Sequence, residues 1–393
     1  MACDHRELTQ LPVVRISRKG ADRFRSGHPW IFRSDVTDTG SAQAGDTVRV
    51  TDHRNQFLGQ AHYSAASQIA LRMLTRGAQP FDIAARISAA QKFRESCVTD
   101  SNAYRLVHSE ADFLPALIVD RYDDAFVIQA LDQSMDWALA EISAAIETQF
   151  APRVIVARND AAVRSLEELP REVKVIAGEL DGPVPVRMNG FAMEADLLHG
   201  QKTGVFLDQR ENYLAAARYA TGSALDCFTC TGGFALHLSR TCQRVEAVDS
   251  SASALATARR NAEANDARNV DFREDDAFEV LSRYTSARRT FDIVILDPPA
   301  FAKSRKQMEG AMRGYKDINL RALRLLEPGG ILVTCSCSQH MSEAMLLEVV
   351  AEASLDAGKT LRVLERRMQA ADHPVLLTVP ETHYLKCMIC QVC

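Results

Sequence analysis

Four short apolar runs in the carboxyl-terminal half constrain this chain more than anything else in it: Ala224-Leu225, Val245 to Val248, Phe291 to Leu296 and Ile331 to Val333. Each is apolar almost without alternation, the mark of a strand covered on both faces. The stretches between them carry helical periodicity, as in SASALATARRNAEAN and NLRALRLLEPGG. Strand and helix taking turns predict an α/β fold with a mostly parallel sheet from about residue 195. The second helix runs into Pro-Gly-Gly, where it is expected to stop and turn into the next strand.

In such a sheet ligands lie beyond the carboxyl ends of the strands, so polar residues directly after the apolar runs are the first site candidates. The first run continues as ALDCFTCTGGFALHL, in which Phe228 and Thr229 lead into a turn and Thr231, Gly232 and Gly233 open a helix. Glycine there admits a ligand close to the backbone, and the helix start offers unpaired N–H groups to an anion. The second run ends at Asp249-Ser250, and Asp249 lies 23 residues after Asp226, a spacing suited to a carboxylate that accepts both ribose hydroxyls. Asp275-Asp276 follow VDFRE and suit an adenine amino group, and Asp297 opens DPPAF. Each has a plain alternative, since Gly-Gly is often only a tight turn and an acidic residue after a strand is commonly a helix cap. Four in order on one sheet point to a nucleoside site. Thr231-Gly232-Gly233-Phe234 is not G-x-G-x-x-G, so adenosine without a pyrophosphate, that is S-adenosylmethionine, fits better than a dinucleotide.

The first half of the chain follows other rhythms. Val48, Val50, Ile69, Leu71 and Met73 alternate with polar or small residues between glycines, which predicts a small β-barrel. Residues 79 to about 190 combine strands at Leu117 to Val119 and Phe126 to Ile128, a helix from about Met135 to Phe150 and further strands after Arg153, a small α+β module. Asn189-Gly190 between VPVRM and FAMEA reads as the turn of a hairpin that closes it. At 393 residues and 47% hydrophobic the chain has room for two or three domains with real cores. MACDHRELTQ lacks a basic start followed by an apolar stretch, and no run reaches the roughly 18 apolar residues of a membrane span. A cytoplasmic protein with no membrane partner is expected, and its ten scattered cysteines read as reduced thiols.

The ordered set HGQKTGVFLDQR, CFTCTGGF, DPPAF, RGYKDIN, SCS and QAADHPV resembles the bacterial 23S rRNA cytosine-5 methyltransferases, class I enzymes with an amino-terminal PUA domain and a small central domain. The likeness runs from about residue 12 to the last strand. It implies a PUA-like RNA-binding domain at 1–78, a central α+β domain at 79–192 and a class I methyltransferase domain with a Rossmann-like sheet at 193–393. It also implies S-adenosylmethionine as cofactor and 23S rRNA, or a large-subunit assembly intermediate, as partner. Gln209 and Arg210 become candidates for the methionine end of the cofactor.

Cytosine C5 is too weak a nucleophile to attack a methylsulfonium, so the reaction needs a thiolate that adds at C6. Strand alternation puts Ile331, Val333, Cys335 and Cys337 on one face, with Cys337 outermost, and Cys337 of Ser336-Cys337-Ser338 is also the residue the resemblance indicates. Asp297 is expected on the N3/N4 edge of a flipped cytosine, with the Pro298 carbonyl taking the amine and Phe301 beside the base. Many relatives carry a second cysteine next to Asp-Pro; here Pro298, Pro299 and Ala300 stand there, so the C5 proton acceptor has no assigned residue. Asp-Pro-Pro-aromatic also serves amino-group methylation, so an exocyclic-amine or guanine methyltransferase stays open, as does a non-catalytic RNA-binding assembly factor. Cys387, Cys390 and Cys393 are spaced by three on a predicted strand, which sends successive thiols to opposite faces and argues against a metal site.

Residues 1–78 hold 11 Lys+Arg against 7 Asp+Glu, although the whole chain carries −5. Arg15, Arg18, Lys19, Arg23, Arg25 and Arg33 surround His28, Trp30 and Phe32, and Lys19, Arg23 and Trp30 are the expected RNA contacts. Lys303, Arg305, Lys306, Arg313 and Lys316 form a second basic stretch, expected as a loop that grips the substrate backbone. The sequence does not give the oligomeric state; by base rate a homodimer is the commonest assembly.

Overall fold

The computed structural model describes residues 10–302 and 305–393. It divides into two compact units: the described part of Met1–Val184 with Ala195–Gly204 and Asp372–Thr382, and Pro185–Glu194 with Val205–Ala371 and His383–Cys393.

The first unit contains two sheets. The expected barrel strands form one six-stranded sheet ordered Trp30–Phe32, Ile69–Met73, Phe57–Tyr63, Thr47–Thr51, Val13–Ile16 and Val36–Asp38, around a core of Val14, Ile16, Ile31, Val48, Val50 and Leu71. The central segment gives a five-stranded sheet with Ala125–Ala130 in its middle and the helices Ile83–Cys97 and Leu139–Phe150 packed on it. The predicted helix from Met135 breaks at Ala138 into Gln133–Trp137 and Leu139–Phe150. Residues 372–382 are bonded into this unit from far along the chain. The buried Arg94 guanidinium pairs with Asp112 and donates to the Asp372 carbonyl at 2.9 Å, and the Arg105 N–H donates to the Asp372 carboxylate at 2.9 Å.

The second unit is built on a seven-stranded sheet ordered Val270–Glu274, Arg244–Asp249, Ser223–Cys227, Phe291–Leu296, Leu326–Ser336, Lys386–Val392 and Leu361–Arg367. The first five are parallel, and Lys386–Val392 runs antiparallel to both neighbours. The apolar runs are these strands. Leu225, Val248, Val294, Leu296 and Leu332 are buried against Ile318, Leu323, Leu346 and Val350 of the covering helices. Each such side chain contributes roughly 1.5–3 kcal/mol. A slip of one residue would turn every one of them to the other face, so the core fixes where each strand's carboxyl end stops.

Two expectations change. The Asn189-Gly190 hairpin forms as predicted, with φ of 53° and 74° at its turn, yet Pro185–Glu194 belongs to the second unit rather than closing the central segment. The reason is polar: Asn189 Nδ2 donates to the Arg210 carbonyl at 2.7 Å and meets His237 Nε2 at 2.9 Å, and the Ala192 and Glu194 N–H groups donate to Asn265 and Asn261. Pro328-Gly329-Gly330 does not end a helix; the helix Met308–Arg324 has already stopped, and the Pro-Gly-Gly stretch makes an irregularity inside the Leu326–Ser336 strand, where the register jumps between Leu326 and Ile331.

Candidate active site

Ser223–Cys227 and Phe291–Leu296 are neighbours, with Asp226 and Cys227 level with Ile295 and Leu296. Strand order reverses between these two, and in open α/β sheets that is where a ligand crevice lies. The loop after the first strand has a left-handed backbone at Phe228 (φ 66°), Cys230 (φ 50°) and Gly232 (φ 87°). The Cys230 N–H donates to Asp249 Oδ2 and the Ser251 N–H to Asp249 Oδ1, both at 2.9 Å. Each of those oxygens keeps a second acceptor position. Ser250 is exposed beside them.

Thr229 turns inward. Its hydroxyl donates to Asp226 Oδ2 at 2.6 Å, which also accepts the Ala235 N–H at 3.1 Å, while Asp226 Oδ1 is buried without a hydrogen-bond partner among the described residues. Burial, reinforced by the Asp297 and Asp249 charges and opposed by these two hydrogen bonds, pushes the Asp226 carboxyl up to about 7. At Gly233 an added Cβ would stand 2.4 Å from the Tyr213 ring, so this glycine is required by packing as well as by any ligand. Asp276 is the plain helix cap, accepting the Phe278 and Glu279 N–H groups at 2.8 and 3.1 Å, and Asp275 pairs with Arg283 at 2.6 Å.

One wall of this region is aromatic. Phe228, Phe278, Phe301 and Tyr315 follow one another with ring centroids 6.3, 5.8 and 4.6 Å apart, so Phe301 is a half-buried wall residue, and Pro298 is buried. Asp297 is half-buried. Its charge contributes to raising the pKa of Tyr213, Asp226, Cys230, Tyr315 and Cys335, burial being the larger cause in each, which makes it the shared neighbour of the group.

The thiols here differ sharply. Cys227, Cys230 and Cys335 are all raised by burial, Cys230 to about 12. Cys335 lies opposite Cys387 on the ladder, with the Gln209 carboxamide against it. Cys337 is one residue beyond the Leu326–Ser336 strand and half-buried. Its flanks are clamped: the Ser336 and Tyr315 hydroxyls share a hydrogen bond at 2.9 Å, and Ser338 Oγ donates to the Ala302 carbonyl at 3.0 Å. Gln209 and Arg210 are buried in the same unit; Gln209 Oε1 accepts from Asn212 at 2.7 Å, and the Arg210 guanidinium lies 3.7 Å from Glu211. Tyr213, Tyr315, the unpartnered oxygen of Asp226 and Lys386 are the features the sequence did not single out. Lys386 had a readable signal, a lone lysine in the apolar run YLKCMIC. Cys387 and Cys390 fall on opposite faces of their strand, one opposite Cys335 and one opposite Leu332. Among the described residues no three His, Cys, Asp or Glu gather to hold a metal.

The basic patches are largely spent internally. Arg23 pairs with the buried Asp35 at 2.6 Å and lies over Phe32, Arg25 pairs with Asp52 at 2.6 Å, and Arg33 donates to the Ser64 and Ser67 carbonyls. The Trp30 indole N–H donates to Glu110 at 2.8 Å. Lys19 is exposed, and it and Arg15 carry no ion pair among the described residues. Lys303 lies outside the described residues. The stretch after it is not a loop throughout: Arg313 and Lys316 ride on the Met308–Arg324 helix, where Arg313 pairs with Glu309 and Lys316 with Glu352 and Asp356. Among the described residues no helix is long and apolar enough to cross a membrane.

Comparison with known proteins agrees with this architecture. Residues 14–76 match the PUA-like domain family and residues 220–371 the methyltransferase domain family. The structure superposes on the crystal structure of SMU.776 complexed with SAH with a TM-score of 0.83 at 18% identity, covering 97% of this chain and 100% of that one. The fold is therefore a class I methyltransferase sheet preceded by a PUA-like domain. The chain is 39% identical over 377 residues to the ribosomal RNA large subunit methyltransferase I of Shigella boydii serotype 18 and to that of Escherichia coli O157:H7, covering 93% of this chain and 95% of each relative. At that identity over nearly the whole of both chains, this protein belongs to the family of the ribosomal RNA large subunit methyltransferases I.

Proposed function

We propose that this protein methylates C5 of a cytosine in large-subunit ribosomal RNA, with Cys337 as the nucleophile. The observation that carries the reading is the position of Cys337. It stands just past the strand end, half-buried, while Cys335 two residues back is fully enclosed.

The residues present fit S-adenosylmethionine. Asp249 keeps acceptor capacity for the ribose, the left-handed loop from Phe228 to Gly232 provides backbone groups, and the unpartnered Asp226 oxygen calls for a donor. Gln209, Arg210, Ser250 and Asp275 complete the expected surround, with Asp276 already engaged as a cap. When bound, this cofactor supplies the electrophilic methyl group.

The protein's own groups do the rest. The Cys337 thiolate adds to C6 of a cytosine taken out of its stack, breaking the C5–C6 double bond and leaving C5 enamine-like. Asp297 holds the N3/N4 edge and helps bring a proton to N3 as charge arrives there, and the Pro298 carbonyl takes the amine. After C5 is methylated, loss of its proton restores the double bond and expels the thiolate. The aromatic wall from Phe228 to Tyr315 keeps water from the reacting edge. The PUA-like region supplies RNA affinity through Lys19 and Arg15.

RNA carrying 5-fluorocytidine tests the reading, because fluorine cannot leave C5 as a proton does and the adduct persists. A covalent complex is expected with the wild type and not with Cys337→Ala, together with 5-methylcytidine in nucleosides from treated RNA. A methylated exocyclic amine in place of 5-methylcytidine, or an adduct that survives Cys337→Ala, would overturn it.

A further inference from the structure

Lys386 is chemically out of place. It is 4% exposed, it opens the apolar Lys386–Val392 strand directly across from Ser336, and no carboxylate among the described residues lies within ion-pair distance of its ammonium. Its Nζ donates to the carbonyls of Ser338 at 2.6 Å and Tyr384 at 2.7 Å. An ammonium has three N–H donors, so these two leave one. Lysine is almost never buried this deeply without a counter-ion. Burial pushes Lys386 down to about 8, and the group that opposes the fall is Cys337. Three further kinds of titratable group bear on this corner: the half-buried Asp297, whose negative charge acts on Tyr315 and Cys335 and is the charge Lys386 must offset; Cys335 and Cys387, which face each other one step along the ladder; and Tyr315. Tyr315, from the Met308–Arg324 helix, shares its hydrogen bond with Ser336 and is pushed up to about 12, chiefly by burial and in part by Cys337.

We propose that Lys386 is the positioning residue of the nucleophile: it fixes the Ser336-Cys337-Ser338 turn through the Ser338 carbonyl and holds Cys337 as a thiolate through its positive charge. The inference rests on the reading of Cys337 as nucleophile and adds the residue that arms it. The charges balance. The proton leaving Cys337 Sγ goes to water, and the thiolate and ammonium together are neutral. When sulfur bonds to C6 its negative charge passes into the cytosine ring. When the product forms, the thiolate is expelled beside a cation that stabilises it. The neighbouring thiols contrast with it: burial raises Cys227, Cys230 and Cys335, carboxylates or a second thiol raise them further, and no cation among the described residues is paired with them.

The test is the pH profile of Cys337 alkylation by iodoacetamide, followed at that residue by peptide mass spectrometry, in the wild type, Lys386→Met and Lys386→Arg. A nearby cation lowers a thiol from about 8.5 by a unit or more. The wild-type inflection is therefore expected below that of an ordinary thiol, raised by at least about one unit in Lys386→Met and largely restored in Lys386→Arg. In Lys386→Met, kcat should fall about tenfold or more near neutral pH, while SAH affinity and the KM for RNA stay within about threefold. An unchanged inflection in a Lys386→Met protein that still binds SAH would overturn the proposal and reduce Lys386 to a structural clamp. Should that variant not fold, the wild-type profile alone decides, since an inflection at or above about 8.5 is incompatible with thiolate stabilisation. Failure of the nucleophile reading shows elsewhere, as a 5-fluorocytidine adduct that persists in Cys337→Ala, and leaves the alkylation profile intact.

Discussion

The basic patch of the first unit and the crevice of the second spend their polar residues in opposite ways. In the first, Arg23, Arg25 and Arg33, the residues that look most like an RNA-binding surface, are bonded to Asp35, Asp52 and two backbone carbonyls of the same unit. In the second, the crevice groups are only partly satisfied among the described residues: Asp249 keeps acceptor capacity, Asp226 has an oxygen with no hydrogen-bond partner, and Lys386 has no carboxylate within ion-pair distance. In the patch the charge is used up in building structure, whereas in the candidate crevice it is left incompletely paired. A count of basic residues therefore overstates the RNA-facing charge, whereas a carboxylate at a strand end keeps its meaning.

Asp297 is the sharpest point at which to break this contrast. Asp297→Asn removes the negative charge shared by five titrating neighbours, and kcat should fall by about 10²–10³-fold with SAH affinity within about threefold. Arg23→Met should leave kcat within about twofold and lower Tm instead, because it strands the buried Asp35 carboxylate. If Arg23→Met instead weakened RNA binding tenfold at unchanged Tm, the first unit would not be spending its arginines on itself.

The next effect concerns pH. The Asp226 carboxyl is raised in the folded protein from 3.8 to about 7, so the unfolded chain releases this proton first as pH rises. The associated stability is fully present below the unfolded value of 3.8 and is lost as pH rises through about 7. Asp226→Asn, which cannot ionise, should match the wild type in Tm near the acid end and exceed it by several degrees near pH 8. It should also bind SAH about tenfold more weakly if the unpartnered oxygen accepts a hydrogen bond from the cofactor. A Tm difference that does not change with pH would show that Asp226 is ionised in the folded chain and that its burial is compensated.

How much of this could be read beforehand depends on the range of the interaction. Strands covered on both faces advertise themselves through local composition, so the sheet and the positions of Asp249 and Asp297 at its strand ends were legible. The Asn189-Gly190 turn was legible too, because φ above zero selects its residues locally. Ownership of that hairpin was not, since it is decided by Asn261, Asn265 and His237, about 50 to 75 residues away. The same holds for Arg23, whose partner Asp35 lies on a different turn of chain, and for Lys316, paired with the Glu343–Asp356 helix. Gly233 was legible as glycine but not for the right reason alone, because the Tyr213 ring that excludes a side chain there is invisible in CTGGF.

The residues still available in the first unit give a smaller effect. Arg15 and Lys19 are exposed, and their reversal in Arg15→Glu/Lys19→Glu should cost about three- to tenfold in RNA affinity and flatten its salt dependence, with Tm unchanged. Loss of Tm without loss of RNA affinity would move the RNA contact off this face.

Trp30 sets the lower limit. As a half-buried indole among arginines it resembles a stacking platform for a base, but its N–H is committed to Glu110 at 2.8 Å and its ring meets His28 edge-on at 5.3 Å. Glu110 is 9% exposed, and its other oxygen accepts the adjacent Ser109 hydroxyl at 2.6 Å. Trp30→Phe keeps an aromatic face for RNA and removes only the donor. A platform would tolerate that change in stability and register it weakly in binding; a tether between the six-stranded sheet and the central segment does the reverse. The expected result is a loss of about 1–2 kcal/mol in unfolding free energy, the cost of a buried carboxylate deprived of a hydrogen bond, with RNA affinity within about twofold. Glu110→Gln with Trp30 intact, which can still accept from the indole through its carbonyl oxygen, should retain most of that stability, and equal RNA affinity across the wild type and the two variants would complete the separation of the two roles.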